Sequence, residues 1–116
     1  VNHGPLERPY VTLAFILDMD GFKILHMGDI YPLSNEEYFR TFQLQKLGIG
    51  IAFIDPYFLL DKIGQQMAKE FIQPKQIIPM HIREHEIEKY ARALKDSYNN
   101  INVFQECLEK KIFDAQ

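Results

Sequence analysis

The chain is poor in three features that would place it in a class at once. Its single cysteine, Cys107, cannot form an internal disulfide, and we interpret it as a passive, half-buried thiol. No apolar run approaches the roughly 18 to 20 residues that a membrane-spanning helix needs, and no N-terminal stretch resembles a signal peptide. Basic residues are outnumbered, with 13 Lys and Arg against 16 Asp and Glu, and they form no stripe. We therefore expect neither a membrane span nor a nucleic-acid partner.

The chain does carry enough apolar residues for a core. Of its 116 residues, 47% are hydrophobic and 13% aromatic, which excludes a disordered tail and predicts a single domain over 1–116. Because the sequence opens at Val1 without Met and reaches a strand almost at once, we expect it to be a piece of a longer protein. The cytoplasm is then the default compartment, with the periplasm and secretion left open.

The N-terminal part predicts a β-hairpin. Residues 10–18 and 22–27 are rich in β-branched and aromatic residues, and the turn residues 19–21 separate them. Both strands are almost continuously apolar. That pattern predicts burial on both faces, with helices packed on at least one side of the sheet.

The middle of the chain predicts alternating helices and strands. Ser34 and Glu37 form a capping box, which starts a helix running to about Lys46. A short buried strand over 49–54 follows, ended by an Asp-Pro pair. An amphipathic helix is predicted over 57–72, where apolar residues recur every four positions.

The C-terminal part continues the alternation with a strand over 76–80, a helix and a last strand over 101–104. The apolar face of that last helix is marked by Ile87, Tyr90, Ala91 and Leu94. The fold class we predict is therefore α/β, in one domain without repeats or linkers.

Two strands end in residues that bind metal ions. Strand 22–27 leads directly into Gly28-Asp29, and strand 76–80 leads into His81. An α/β sheet gathers its chemistry at the edge where the strands end, so Asp29 and His81 are predicted to meet there. The competing interpretations are an Asp29 that caps a turn and a His81 that only makes a structural hydrogen bond.

The segment from His81 to His85 also spells H-x-x-E-H, a zinc-protease motif when it lies on a helix. We discount this hypothesis because Pro79 and the apolar residues before it predict that His81 still belongs to a strand end or loop. Glu84 or His85 is a better start for the next helix. His85 then either borders the pocket or is solvated.

Other candidate residues have weaker signals. His26 precedes Asp29 by three strand positions, so their side chains should lie on opposite faces, which favours a structural or second-layer role for His26. Tyr31 follows a strand end and is a candidate to line the pocket, as are Tyr57 and Phe58, although packing is the commoner role of such aromatic residues. His3 lies in a loop before the hairpin.

The order strand-Gly-Asp, helix, strand, helix, strand-Pro-Met-His resembles the C-terminal half of the metallo-β-lactamase superfamily of hydrolases. The resemblance covers essentially the whole chain and implies that Asp29 bridges two metal ions and that His81 binds one of them. A further family histidine precedes the strand pair, and His3 fits its place. We expect the divalent metal to be zinc, and iron and manganese are also compatible with these ligands.

The family signature H-x-H-x-D-H, which supplies the other ligands, is absent from the sequence. The resemblance then implies that this chain is the second αβ half of a four-layer αββα sandwich. The missing N-terminal half would be its partner, unless a second copy forms a homodimer over the exposed apolar surface. A complete domain would hold two ions and cleave an ester, lactone or phosphodiester-type bond in a small-molecule substrate. The chain alone is expected to be inactive.

A second hypothesis belongs to a different class. The same residues can cap strands in a non-catalytic α/β binding or assembly module whose apolar face docks a partner. Metal binding distinguishes the two hypotheses, because only the first needs it.

Overall fold

The computed structural model describes residues 2–3, 10–11, 14–28, 30, 35–104 and 113, and of 2–3 and 10–11 only the backbone. Its strands are β1 (Asn2–His3), β2 (Tyr10–Val11), β3 (Phe15–Met19), β4 (Phe22–His26), β5 (Ile49–Ile54) and β6 (Gln76–Pro79). Its α-helices are α1 (Glu36–Phe42), α2 (Pro56–Leu60), α3 (Lys62–Gln66) and α4 (Ile87–Ser97). Two 3₁₀ turns (Leu44–Leu47 and Glu84–Glu86) and a π-helical segment (Met67–Ile72) complete the list.

The strands form a mixed four-stranded sheet in the order β3-β4-β5-β6, and β1 pairs separately with β2. Strands β3 and β4 are antiparallel, whereas β4, β5 and β6 run parallel to one another. Helical segments connect the parallel strands, as a parallel connection requires. The α/β class is therefore confirmed.

The β3–β4 hairpin is confirmed with different bounds. Met19 pairs with Phe22 across a two-residue turn in which Asp20 and Gly21 both have positive φ, as the favoured hairpin turn demands. The backbone N–H of Gly21 donates to Oδ1 of Asp18 at 2.7 Å. The predicted strand over 10–18 is wrong in its first part, because β2 pairs instead with β1. His3 accordingly lies in a short strand and not in a loop.

The predicted helices are interrupted. The first ends at Phe42, because Gln43 adopts a left-handed φ of 53° that redirects the chain into a 3₁₀ turn. The helix predicted over 57–72 breaks at Asp61, which is extended and caps α3 by accepting hydrogen bonds from the backbone N–H groups of Ile63 and Gly64. The capping residue Ser34 lies outside the described residues.

The predicted last strand is reduced to one parallel bridge between Ile101 and Ile77. The backbone N–H of Ile77 donates to the carbonyl of Asn100, and the N–H of Asn102 donates to the carbonyl of Ile77, each at 2.9 Å. The chain therefore touches β6 at its free edge without running alongside it. Cys107 lies beyond the described part.

The core lies between the helices and one face of the sheet. Leu25, Ala52 and Ile77 occupy paired positions on β4, β5 and β6 and are almost fully buried. Helices α2 and α4 cover them with Leu59 and Leu94, each 0% exposed. Burying such side chains contributes roughly 1.5 to 3 kcal/mol each.

The opposite face of β3 is exposed, so the prediction of burial on both faces is wrong for this strand. Phe15, Leu17 and Met19 are 51%, 53% and 61% exposed. Alternation along a strand places all three on one side. We call these three residues the apolar sheet face.

Within the described ranges, no helix is long and apolar enough to cross a membrane.

Candidate functional site

The site forms where the parallel strands end. Because β5 and β6 run parallel, with Ile54 opposite Pro79, their C-terminal ends lie side by side. Asp55 follows the first strand directly, and His81 follows the second after one residue. The backbone N–H of Met80 donates to the carbonyl of Ile54 at 3.1 Å, which extends the pairing to the residue before His81. The two side chains are thereby brought to the same point.

Asp55 and His81 form the central contact of the site. Nδ1 of His81 lies 2.6 Å from Oδ1 of Asp55, a close contact between an imidazole nitrogen and a carboxyl oxygen. The Asp55 side chain is 2% exposed and the His81 side chain 61% exposed. The pair therefore has a buried acceptor and an imidazole that faces solvent.

The backbone of His81 is in an unusual conformation. Its φ is 61°, in the left-handed region that few residues other than glycine occupy. This left-handed residue ends the extended path of β6 and directs the chain toward the 3₁₀ turn before α4. The conformation costs of the order of 1 to 2 kcal/mol for an L-residue. A strained residue held beside a buried carboxylate is the kind of feature that marks functional sites.

A pocket of about 280 Å³ opens beside the pair. Its lining residues are Asp55, Pro56, Tyr57, His81, Arg83, Glu86 and Tyr90. Tyr57 is fixed at the rim, since its hydroxyl donates to the backbone carbonyl of Ile30 at 3.0 Å. Arg83 and Glu86 bring opposite charges to the opening. Such a pocket fits part of a small polar ligand better than an extended apolar one.

A larger pocket, of about 610 Å³, lies at the other edge of the sheet, where β6 begins. Its charged residues, among those the structure describes, are Lys69, Lys95 and Asp96, and none of the described lining residues is a histidine. The carboxyl ends of parallel strands are where α/β sheets place their ligands. We therefore assign the candidate site to the smaller pocket.

The candidate site contains two side chains of the types that bind metal ions. His81 supplies an imidazole and Asp55 a carboxylate, and both are ligand types that zinc, iron and manganese accept. No group of three His, Cys, Asp or Glu side chains within the described ranges is placed to hold an ion. The donor chemistry therefore fits a divalent metal, and a complete coordination sphere needs further ligands.

One curated protein aligns with most of this chain. A protein of Archaeoglobus fulgidus, named UPF0173 metal-dependent hydrolase, is 24% identical to the chain over 107 residues. The alignment covers 88% of this chain and 46% of the archaeal protein. The chain thus spans less than half the length of that relative. No family model matches the chain, and no solved structure matches it significantly.

The predicted ligands differ in how far the structure describes them. Asp29 and Tyr31 lie outside the described residues, although Gly28, directly before Asp29, has a left-handed φ of 63°. Only the backbone of His3 is described, paired with Tyr10. His81 is thus the one predicted ligand whose side chain is described, and the set of His3, Asp29 and His81 stays a prediction.

His26 has contacts that account for it structurally. Its ring stacks on Phe15 with centroids 5.3 Å apart, and Phe53 lies on its other side at 6.0 Å. Its Nδ1 accepts a hydrogen bond from the backbone N–H of Gly28 at 3.1 Å. His26 does not line the pocket described above. Its place is on the same side of the sheet as Phe15.

The H-x-x-E-H hypothesis does not fit the local backbone. His81 is in the left-handed region, and Glu84–Glu86 form a 3₁₀ turn before α4 begins at Ile87. No continuous helix therefore carries both histidines. The His85 side chain is 74% exposed, and its Nε2 lies 3.9 Å from Glu86, beyond hydrogen-bonding distance.

Sequence reasoning missed Asp55, which it treated only as part of a strand stop. The signal was present, because Asp55 follows a buried strand just as Asp29 does. The partnership with His81 depends on the pairing of β5 with β6, which the residue pattern alone does not define. Phe58 was predicted as either pocket or core, and it is 1% exposed in the core, edge-on to Phe39.

Proposed function

We propose that this chain is the second αβ half of a metallo-β-lactamase-type αββα sandwich and that the complete domain is a metal-dependent hydrolase. The observation that carries the proposal is His81, which follows β6 at the strand-end edge and is held there by Asp55 at 2.6 Å. The name of the archaeal relative supports the same class of activity. His3, Asp29 and His81 are the ligands that we assign to this half.

His81 is suited to its role because Asp55 engages Nδ1, which leaves Nε2 as the ring atom able to bind a metal ion. Asp29 is suited to bridging because each oxygen of a carboxylate can bind one ion. We expect zinc, with iron and manganese as alternatives, and two ions in the complete domain. When bound, the metal activates water and polarises the scissile ester, lactone or phosphodiester bond.

The pocket gives the chain's own residues the task of orienting a small-molecule substrate. Arg83 carries five N–H donors that fit a carboxylate or phosphate group, and Tyr57 and Tyr90 offer aromatic surface. Hydrolysis needs the ligands of the H-x-H-x-D-H half as well. The apolar sheet face is where we expect that half to pack, because it would bury the exposed β3 side chains.

Metal content tests this proposal directly. The chain, purified in the presence of zinc and freed of excess, should retain metal when measured by plasma mass spectrometry, and His81→Ala should lower the amount. His85→Ala is the matched control, since it removes a histidine four residues further along the chain whose side chain is 74% exposed and does not line the pocket. A zinc content that is measurable in the wild type and unchanged in His81→Ala would refute His81 as a ligand.

A specific observation also favours the second candidate function, a binding module. The apolar sheet face exposes three large side chains in a row, more than a solvated strand normally presents. A module of this kind would bind its partner equally well in His81→Ala. Loss of zinc in that variant would therefore support the hydrolase and not the module.

A further inference from the structure

The contact between Asp55 and His81 indicates a role for Asp55 other than that of a metal ligand. Asp55 is buried to 2% exposure, whereas the imidazole it contacts is 61% exposed and held by little packing. The contact, rather than neighbouring side chains, is therefore what defines the direction of the ring. A buried carboxylate also keeps its position better than a solvated one.

The contact also determines which nitrogen of His81 carries the proton. The two atoms are only 2.6 Å apart, too close for two lone pairs to face each other, so a proton is expected between them. With Asp55 ionised, its carboxylate can only accept, and that proton belongs to Nδ1. In the neutral ring, Nε2 is then unprotonated and has its lone pair available. Carboxylate–histidine–metal arrangements in proteins use this same division of roles.

We propose that Asp55 is a positioning residue that holds His81 in the Nδ1–H tautomer and so prepares Nε2 for a metal ion. The metal-binding role of His81 in this proposal rests on the proposed function. The tautomer of His81 is inferred from the described geometry alone. Among the described lining residues, Arg83 and Glu86 are the other charged groups. Asp55 is thus the acceptor that determines which ring nitrogen of His81 carries the proton.

The tautomer can be measured without any metal. Nitrogen-15 NMR of the imidazole rings, on the labelled chain in metal-free buffer near pH 8, should show His81 protonated at Nδ1. His26 provides an internal reference of the opposite kind, because its Nδ1 accepts from Gly28 and its proton must lie on Nε2. A variant His81→Gln assigns the signals. Finding His81 in the Nε2–H form in the wild type would overturn the proposal.

Asp55→Asn tests the consequence for binding. The amide has the same shape, but it can donate to Nδ1, which would transfer the ring proton to Nε2 and block the metal-binding lone pair. We expect a switch of tautomer and a zinc affinity lower by roughly 10- to 100-fold, as other residues behind a metal ligand produce. Circular dichroism checks that the variant is folded, and the wild-type spectrum decides the tautomer even if it is not.

The outcomes separate the two proposals. If zinc binds the wild type and Asp55→Asn equally but is lost in His81→Ala, Asp55 is not a positioning residue while His81 remains a ligand. If the wild type binds a measurable amount of zinc and His81→Ala binds the same amount, the proposed role of His81 in the function fails. The tautomer of His81 in the metal-free chain then still decides whether Asp55 sets the state of the ring.

Discussion

The hydroxyl of Tyr98 donates a hydrogen bond of 2.6 Å to the backbone carbonyl of Leu59. This bond joins the end of α4 to α2, the helix that begins directly after Asp55. Tyr98 is 7% exposed and Leu59 is 0% exposed, so water does not replace the bond when it is lost. The position of α2 behind the candidate site therefore depends on a buried polar contact as well as on packing.

Removing this hydroxyl should weaken the fold measurably. Tyr98→Phe keeps the ring in the core but leaves the carbonyl of Leu59 without its donor, at an expected cost of about 1 to 3 kcal/mol. Urea denaturation at pH 7 measures the change. Tyr38→Phe is the control, because Tyr38 is 44% exposed and its hydroxyl can bond to water. A Tyr98→Phe variant as stable as Tyr38→Phe would contradict the role given to this bond.

The same residue predicts a pH dependence. Burial raises the pKa of Tyr98 above its ordinary value near 10. Because the folded-state pKa is the higher one, the contribution of the neutral phenol to stability is complete below about pH 10 and is lost as the pH rises above it. The free energy of unfolding, measured from pH 8 to 11, should fall less steeply in Tyr98→Phe than in the wild type. Parallel curves would argue against the shift.

The sequence was most informative where local chemistry decides the structure. The turn of the hairpin, strand β5 and the face of α4 were predictable, because Asp20-Gly21, a β-branched run and helical spacing each specify them locally. The break at Asp61 had a signal, since Asp is a good N-cap, but the four-residue periodicity around it suggested one continuous helix.

The remaining features depend on contacts that no local pattern contains. An apolar strand such as β3 has the same pattern whether its own chain or a partner covers it, so the exposure of Leu17 was not foreseeable. Likewise, the contact between Asp55 and His81 follows from the alignment of two strand ends that are distant in sequence. Whether Asp29 and His3 join them stays a prediction from the resemblance.

Helix α3 approaches α2 so closely that only glycine fits at one position. A Cβ placed on Gly64 would lie 1.7 Å from the backbone oxygen of Phe58, which cannot move without shifting α2. Gly64→Ala should therefore lower the free energy of unfolding by at least about 1 to 3 kcal/mol, as other overpacked sites do. Lys62→Ala, at an exposed position of the same helix, should change it little. Equal urea midpoints for the two variants would refute this close approach.

The left-handed backbone at His81 predicts that glycine is a better replacement than alanine. Both His81→Gly and His81→Ala remove the imidazole and so lose its contact with Asp55. Only alanine retains a Cβ at a φ of 61°, so His81→Gly should be the more stable of the two by about 1 kcal/mol. Thermal unfolding of both variants measures the difference. An alanine variant of equal or greater stability would show that this backbone is unstrained.

The apolar sheet face should control the solution behaviour of the chain. Leu17 is 53% exposed in β3, so Leu17→Lys should leave the free energy of unfolding within about 0.5 kcal/mol of the wild type. It should nevertheless reduce self-association, measured by light scattering over a range of concentrations, because it places a charge in the middle of the surface. Leu47→Lys is the matched control, since Leu47 is also exposed, at 40%, but lies in the 3₁₀ turn before β5. If both variants lower self-association equally, the effect reflects net charge, and the apolar sheet face is not the contact surface.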